Sequence, residues 1–165
     1  MTILKSFENL DYSKALESSD EAFVWLKTNG QRFGQLINGK FISNKDAKLI
    51  ASLNPSDGDL LANIEIATSA QLDLAVESAR KAQPTWEALG GHGRAKILYK
   101  LARLMQKHSR IISVLETLDN GKPIRESRDI DIPLAIRHFY HHAGWAQLQE
   151  KEFSSYQPIG VVAQI

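Results

Sequence analysis

The first third of the chain carries short apolar runs broken by polar turns, the pattern of β-strands. Asn38-Gly39 lies between the apolar pairs Leu36-Ile37 and Phe41-Ile42, which is the composition of a type I′ hairpin. A second pair of runs, 48–53 and 60–66, flanks a turn at 54–58, and its second run alternates apolar residues with a period of two. The pattern predicts two antiparallel strand pairs.

Helical spacing dominates the remainder of the chain. A short helix is predicted from residue 20 to Asn29-Gly30, and a second begins at a capping box formed by Thr68 and Gln71 and ends before Pro84. Further helices are predicted from about 93, over 109–118 and over 123–149. Pro133 is expected to kink or divide the last of these helices, because it removes an amide donor and crowds the preceding turn.

Residues 116–123 join the two last helices. Asn120-Gly121 tolerates the left-handed conformation that ends a helix, and Pro123 suits the first turn of the next one. The corner is therefore specified by its own sequence.

The C-terminal residues have the composition of strands. An edge strand is predicted over 152–156, and the β-branched run 159–165 is typical of a strand buried on both faces of a parallel sheet. A parallel neighbour needs a crossover of a dozen or more residues, so this run alone would be an unpaired apolar edge.

Composition excludes several classes of protein. The 165 residues carry 20 Lys+Arg and 19 Asp+Glu, for a net charge of +1, which gives no support for binding nucleic acid or an anionic membrane. No apolar stretch has the length of a membrane span, and the polar N-terminus lacks a signal-peptide core, so we expect a cytoplasmic protein. The absence of cysteine excludes disulfides and a thiolate nucleophile within these residues.

Several stretches, taken in order, resemble the N-terminal part of the aldehyde dehydrogenase superfamily. They are 37–40 (INGK), 54–58 (NPSDG), 75–86, 116–123 (ETLDNGKP), 143–146 (AGWA) and 158–165 (PIGVVAQI). Phe7-Glu8, Tyr12, Trp25-Leu26 and His141-His142 look most like the family 16 branch, whose members carry tandem domains.

The resemblance implies an α/β fold of the aldehyde dehydrogenase type, of which this chain holds the N-terminal portion. Antiparallel hairpins are followed by a four-helix region and then by the first strand of a Rossmann-like sheet. The implied division is an arm (1–19), the N-terminal strands and helices of the NAD-binding domain (20–149), a linking and oligomerisation strand (150–158) and the first dinucleotide-fold strand (159–165).

The same resemblance implies a chemistry for the full-length protein. A cysteine thiolate attacks an aldehyde to give a thiohemiacetal, which is oxidised with NAD or NADP to a carboxylic acid. The cysteine, glutamate and asparagine of that chemistry lie downstream in the family, so this chain holds no catalytic residue and is expected to be inactive alone. Ile165 matches a position beside the cofactor, although no cofactor is expected to bind this part well. A homo-oligomer is also implied.

Two further sites follow from the resemblance. Asp119 matches a position that helps hold a monovalent cation with the carbonyls before Asn54, here those of Ser52 and Leu53. The structural alternative is that Asp119 accepts hydrogen bonds at a helix end. Leu134 and His138 match the helix that lines the substrate tunnel.

Two apparent motifs favour structural roles. His138, His141 and His142 share a helical segment, but no carboxylate or cysteine stands at ligand spacing with them. Lys122 follows Gly121 without the phosphate-loop pattern. Two hypotheses therefore remain: part of an NAD-dependent aldehyde dehydrogenase, or a noncatalytic module of the same family that supplies an interaction or oligomerisation surface.

Overall fold

The computed structural model describes Lys5 and residues 15–164. Its strands are β1 (Arg32–Phe33), β2 (Gln35–Ile37), β3 (Lys40–Ile42), β4 (Leu49–Leu53) and β5 (Leu60–Glu65). Its helices are α1 (Asp20–Thr28), α2 (Ser69–Ala88), α3 (Gly90–Lys107), α4 (Ser109–Asn120), α5 (Ile124–Glu126) and α6 (Ile132–Glu152), with a π-helical turn at Ser127–Asp131 between the last two. None of the helices in these residues is long and apolar enough to cross a membrane.

Both predicted hairpins are confirmed. β2 pairs with β3 in antiparallel register, and the turn residues Asn38 and Gly39 have φ values of 51° and 72°, as a type I′ turn requires. β4 pairs with β5 in antiparallel register, with an irregularity at Ser52 and Leu53. The short strand β1 adds to β5 in parallel, which gives the sheet order β1-β5-β4.

The face of β5 that is buried is set by Leu61 and Glu65, which are 4% and 2% exposed. On the alternate positions Leu60 and Ile64 are open to solvent at 48% and 41%, whereas Ala62 is buried at 5%. The predicted period of two therefore holds only in part, because Ala62 packs in a core with Leu61 and Leu26.

The helix α2 begins as predicted and ends later. The side chain of Thr68 accepts from the amide of Gln71, and Gln71 caps Thr68 in return. The helix then continues through Pro84 to Ala88, so its predicted end before Pro84 is wrong. The φ of proline is compatible with a helix, and its exposed position leaves the unpaired carbonyl one turn earlier open to water.

Two small cores hold the described residues together. The first places Leu26 of α1 against Leu61 and Ala62 of β5. The second joins Ala102 of α3 to Ile132 and Ile136 of α6. Gly91 lets α3 and α6 approach closely, because a Cβ there would clash with the carbonyl oxygen of Ala146.

The predicted division of the last helix is confirmed, and it falls just before Pro133. The amide of Ile132 donates to the carbonyl of Ser127 five residues earlier, which is the bond of a π-turn. Pro133 lies in the first turn of α6, where its missing amide donor is tolerated.

The C-terminal strand predictions differ from the structure. Helix α6 runs to Glu152, and residues 153–164 form no strand, so the edge strand over 152–156 and the described part of the strand over 159–165 are not formed. A strand needs a hydrogen-bonded neighbour, and both described sheets lie elsewhere. Of the predicted arm, only Lys5 and residues 15–19 are described, and Glu17 pairs with Arg128 at 3.3 Å.

Candidate functional site

The corner between α4 and α5 forms as its sequence predicts. Gly121 adopts a left-handed φ of 77°, and its amide donates to the carbonyl of Thr117 at 2.9 Å. A Cβ at Gly121 would lie only 3.1 Å from Cβ of Pro55, so the turn after β4 packs directly on the corner. Glycine is needed here both for its φ and for this close approach.

Lys122 ties the corner to the π-turn. Its Nζ lies 2.6 Å from Oδ2 of Asp131 and 3.8 Å from Oε1 of Glu116, and its backbone amide donates to Oδ1 of Asn120 at 2.9 Å. The hydrogen bond to Asp131 is the main cause that raises the pKa of the Lys122 amine above its ordinary value. A structural role for Lys122, as expected from the sequence, is consistent with these contacts.

Asp119 and Ser52 are brought together across the molecule. The hydroxyl of Ser52 on β4 donates to Oδ1 of Asp119 at the end of α4. Leu53 follows at the irregular end of β4 and is half exposed. The structural alternative for Asp119 therefore finds direct support, because its carboxylate accepts a hydrogen bond at a helix end.

The cation site at Asp119, Ser52 and Leu53 stays a prediction. Hard monovalent cations prefer carbonyl and carboxylate oxygens, which this place offers. Over the described residues, no group of three acidic, histidine or cysteine side chains is arranged to hold a metal ion. Any cation here would depend on one carboxylate and on backbone oxygens.

A cavity of about 390 Å³ opens beside this pair, between the sheet and α4. Glu116 and Asp119 lie among its lining residues, while most of the others are apolar: Leu26, Phe33, Leu61, Ala62, Ile64, Ile112 and Leu115. The cavity is thus lined mainly by apolar side chains, together with two carboxylates.

The predicted tunnel residues lie on the exposed side of α6. Leu134 is 42% exposed, and the exposed ring of His138 stacks on His142 with centroids 6.3 Å apart and an interplanar angle of 19°. The two residues are one helical turn apart and share a face. This arrangement is compatible with lining a channel when a further surface covers the helix, and the tunnel role stays a prediction.

His141 and Trp145 continue this exposed face of α6. The indole Nε1 of Trp145 donates a hydrogen bond to Nε2 of His141 at 2.9 Å. The ring of Trp145 lies 5.6 Å from that of Phe153, which lies 5.8 Å from Tyr156. These bonds make the histidines part of an aromatic surface, in line with their expected structural role.

A buried carboxylate that no sequence motif indicates holds the sheet together. Glu65 accepts from Nε of Arg32 at 2.6 Å, from Oγ of Ser43 at 2.5 Å and from the amide of Asn44 at 2.7 Å. Those bonds, led by that from Ser43, lower the pKa of Glu65 to about 2. Arg32, Ser43, Asn44 and Glu65 are called the Glu65 cluster below. The only sequence signal for it is a carboxylate on the same alternation as Leu61.

Ile165, the predicted cofactor contact, lies outside the described residues. The residues just before it are open to solvent, with Ile159 at 91% and Val162 at 71%.

A family model described as the aldehyde dehydrogenase family matches residues 41–165. The chain belongs to this family. It is 40% identical over 144 residues to an aldehyde dehydrogenase of Agaricus bisporus, covering 80% of this chain and 29% of that protein. It is 34% identical over 144 residues to aldehyde dehydrogenase B of Escherichia coli (strain K12), covering 81% of this chain and 28% of that one.

Solved aldehyde dehydrogenases share the fold. An NAD⁺ complex of the enzyme from Bacillus cereus superimposes with a TM-score of 0.69 at 33% identity, over 81% of this chain and 27% of the enzyme. The G224D mutant of a Bacillus cereus aldehyde dehydrogenase gives a TM-score of 0.71 at 31% identity, over 92% of this chain and 29% of the enzyme. The chain thus spans less than a third of the length of these relatives, and it corresponds to a portion of the family fold.

Proposed function

We propose that this chain is the N-terminal part of an NAD(P)-dependent aldehyde dehydrogenase that oxidises an aldehyde to a carboxylic acid through a cysteine thiohemiacetal. The observation that carries the proposal is the unbroken family match over residues 41–165. The fold shared with an NAD⁺ complex supports the choice of cofactor.

In the proposed enzyme, residues 1–165 support the fold and line part of the path by which the aldehyde enters. The sequence contains no cysteine, so the nucleophile belongs to residues outside it. We assign the base and the oxyanion donor to residues outside it as well, on the family resemblance. In the proposed enzyme, Leu134 and His138 line the tunnel, Asp119 with Ser52 and Leu53 holds a monovalent cation, and Ile165 lies beside the cofactor. The bound nicotinamide supplies the hydride acceptor. The isolated chain is inactive and binds NAD poorly.

A chimera tests this proposal directly. Residues 1–165 replace the segment that they match in Escherichia coli aldehyde dehydrogenase B, and the absorbance of the reduced cofactor is followed with a series of aldehydes and with either NAD or NADP. We expect turnover by the chimera and none by the isolated chain. A Leu134→Arg chimera should raise KM for the aldehyde, because a charged side chain would then stand in the tunnel.

The controls separate folding from function. Circular dichroism and size-exclusion chromatography establish that each chimera folds, and the binding of NAD and of NADP is measured by calorimetry. A folded, monodisperse chimera that binds neither NAD nor NADP would contradict the proposal, as would turnover of an aldehyde by the isolated 165-residue chain.

A noncatalytic interaction or oligomerisation module is the second candidate function. The exposed apolar residues Ile159, Val161 and Val162 favour it, since such a segment suits pairing with another sheet. Sedimentation velocity should then show concentration-dependent association that a triple change to serine at these positions abolishes. Association unchanged by the triple variant would count against this candidate.

The family branch, the cellular location and the assembly of the full-length protein belong to the same proposal. We place the protein in the family 16 branch on the motifs around Phe7, Tyr12, Trp25 and His141. We also propose a cytoplasmic location, on the polar N-terminus, and a homo-oligomer, on the family resemblance. Reading the gene beyond Ile165 tests the branch, which requires a second aldehyde-dehydrogenase-like domain in the same reading frame.

A further inference from the structure

Four cations form a single row along α3. Lys96, Lys100, Arg103 and Lys107 are spaced by four, three and four residues, so they fall on one helical face, and all four are exposed. The row spans about 16 Å at the helical rise per residue. Helix α3 contains no acidic residue to offset it. These four residues are called the basic row.

The basic row makes no polar contact with the described part of the chain. Within Lys5 and residues 15–164, none of its four side chains makes an ion pair or a hydrogen bond, whereas Arg32, Lys122 and Arg128 all do. Like charges three and four residues apart on a helix repel one another. The arrangement therefore costs stability and gains nothing from the contacts described.

An apolar ridge runs beside the basic row on the same helix. Ile97, Leu101 and Leu104 are 44%, 39% and 55% exposed, while Ala95 and Ala102 on the far side are fully buried. Leu104 joins Lys100, Arg103 and Lys107 around a shallow depression of about 460 Å³. The outer side of α3 thus combines ordered positive charge with apolar area that solvent reaches, so a partner could be held there by both charge and apolar contact.

Charge complementarity identifies the kind of partner. The net charge of the chain is only +1, so it generates little of the long-range field that draws a protein to a membrane or a nucleic acid. A row of charges spaced by helical turns beside a leucine ridge matches a helix that bears carboxylates at the same spacing with apolar residues alongside. We propose that the basic row and its apolar ridge dock an acidic amphipathic helix of a partner protein.

The probe for the test is a fluorescein-labelled helical peptide with glutamates at positions i, i+4, i+7 and i+11 and leucines on the adjacent face. Its anisotropy is titrated with the full 165-residue chain at low and raised salt. We expect binding that weakens as salt rises, and no binding of a peptide in which the glutamates are replaced by glutamines.

Matched variants locate the site. The pair Lys100→Glu and Arg103→Glu should weaken binding by about tenfold or more, since two charge pairs become repulsive. The pair Lys40→Glu and Lys48→Glu changes the net charge equally at exposed positions on the strands and should leave binding unchanged. Lys96→Gln with Lys107→Gln offers a milder pair if the first fails to fold by circular dichroism, and Leu104→Ser should weaken the binding that persists at raised salt.

Three results would overturn the proposal. The first is equal weakening by the two glutamate pairs, which would reflect net charge alone. The second is binding to vesicles of anionic phosphatidylserine without binding to the peptide, which would identify a lipid surface instead. The third is no binding to either probe, which would leave the basic row as a solvated face.

Discussion

The corner at 116–123 and the segment at 153–164 both overlap stretches that resemble the family, yet the corner forms as its sequence predicts and the segment does not form its predicted strands. In the corner, Gly121 caps a helix, Lys122 pairs with Asp131, and Asp119 accepts a hydrogen bond from Ser52. In the segment, the β-branched residues around Val161 have no strand pairing. The two regions differ in how far along the sequence their hydrogen-bonding and packing partners lie.

Most partners of the corner lie within about fifteen residues, so the chain itself supplies them. The predicted strand needs amides and carbonyls of a neighbouring strand and a layer on each face. Without them, Ile159 is 91% exposed. A motif can therefore identify the family while the structure that it specifies depends on residues far along the sequence.

The largest expected effect contrasts a buried and an exposed aliphatic residue. Leu61→Ala should lower the free energy of unfolding by about 2–5 kcal/mol, because it removes packing between β5 and Leu26. Ile159→Ala, in the unpaired segment, should change it by less than about 0.5 kcal/mol. Denaturant unfolding followed by circular dichroism measures both. A similar loss for the two variants would show that the segment is packed after all.

The second test compares two glycines that both have positive φ. Gly58→Ala should cost about 1 kcal/mol, because alanine resists its φ of 79° and no atom crowds the new Cβ. Gly121→Ala should cost more, about 1–3 kcal/mol, because the new Cβ also meets Pro55. Equal losses in urea unfolding would contradict the packing of the turn after β4 on the corner.

The third test uses the acid dependence of stability. The pKa of Glu65 is about 2 in the folded chain against an ordinary 4.5, so its contribution is complete above pH 4.5 and is lost as pH falls toward 2. Glu65→Gln should lower stability at neutral pH and flatten the pH dependence in this window. Glu77→Gln is the control, since the pKa of Glu77 is also lowered, but by Lys81 and Arg80 on an exposed helix face, where an ion pair contributes little to stability. An unchanged slope in Glu65→Gln would argue against the Glu65 cluster.

The smallest expected effect is at alkaline pH. The pKa of Lys122 is raised above the ordinary 10.5, so its stabilising contribution is present below that pH and is lost as pH rises through the higher folded value. Lys122→Met should remove this alkaline loss, while Lys40→Met should retain it. Thermal unfolding across the alkaline range measures the slope, and parallel curves for the two variants would rule out the pairing with Asp131.

The parts of the fold that could be predicted are those encoded by neighbouring residues. Asn38-Gly39 specifies its turn, Thr68 and Gln71 specify a helix start, and Gly121 specifies a helix end. The passage of α2 through Pro84 could not be predicted, because a proline weakens a helix without fixing where it ends.

The Glu65 cluster and the contact between Asp119 and Ser52 could not be predicted from local patterns, because each joins residues that are far apart in the sequence. Glu65 meets Arg32, Ser43 and Asn44 only because the strands fold together, and it occupies a position where an apolar residue would be expected. The contact of Asp119 with Ser52 was accessible only through the family resemblance, since 67 residues separate the two. The role of Ile165 and the tunnel role of Leu134 and His138 remain predictions.

The π-turn at Ser127–Asp131 has a consequence for comparing this chain with its relatives. A π-turn holds one residue more than the α-helical turn that it replaces, so a single insertion is absorbed there without disturbing the flanking helices. A relative lacking that extra residue would present the same faces of α6 with residue numbers shifted by one. An alignment without a gap would therefore match each side chain of α6 to one about 100° away around the helix axis. Equivalences for His138 should therefore be counted from Pro133 forward, with any alignment gap placed inside the π-turn.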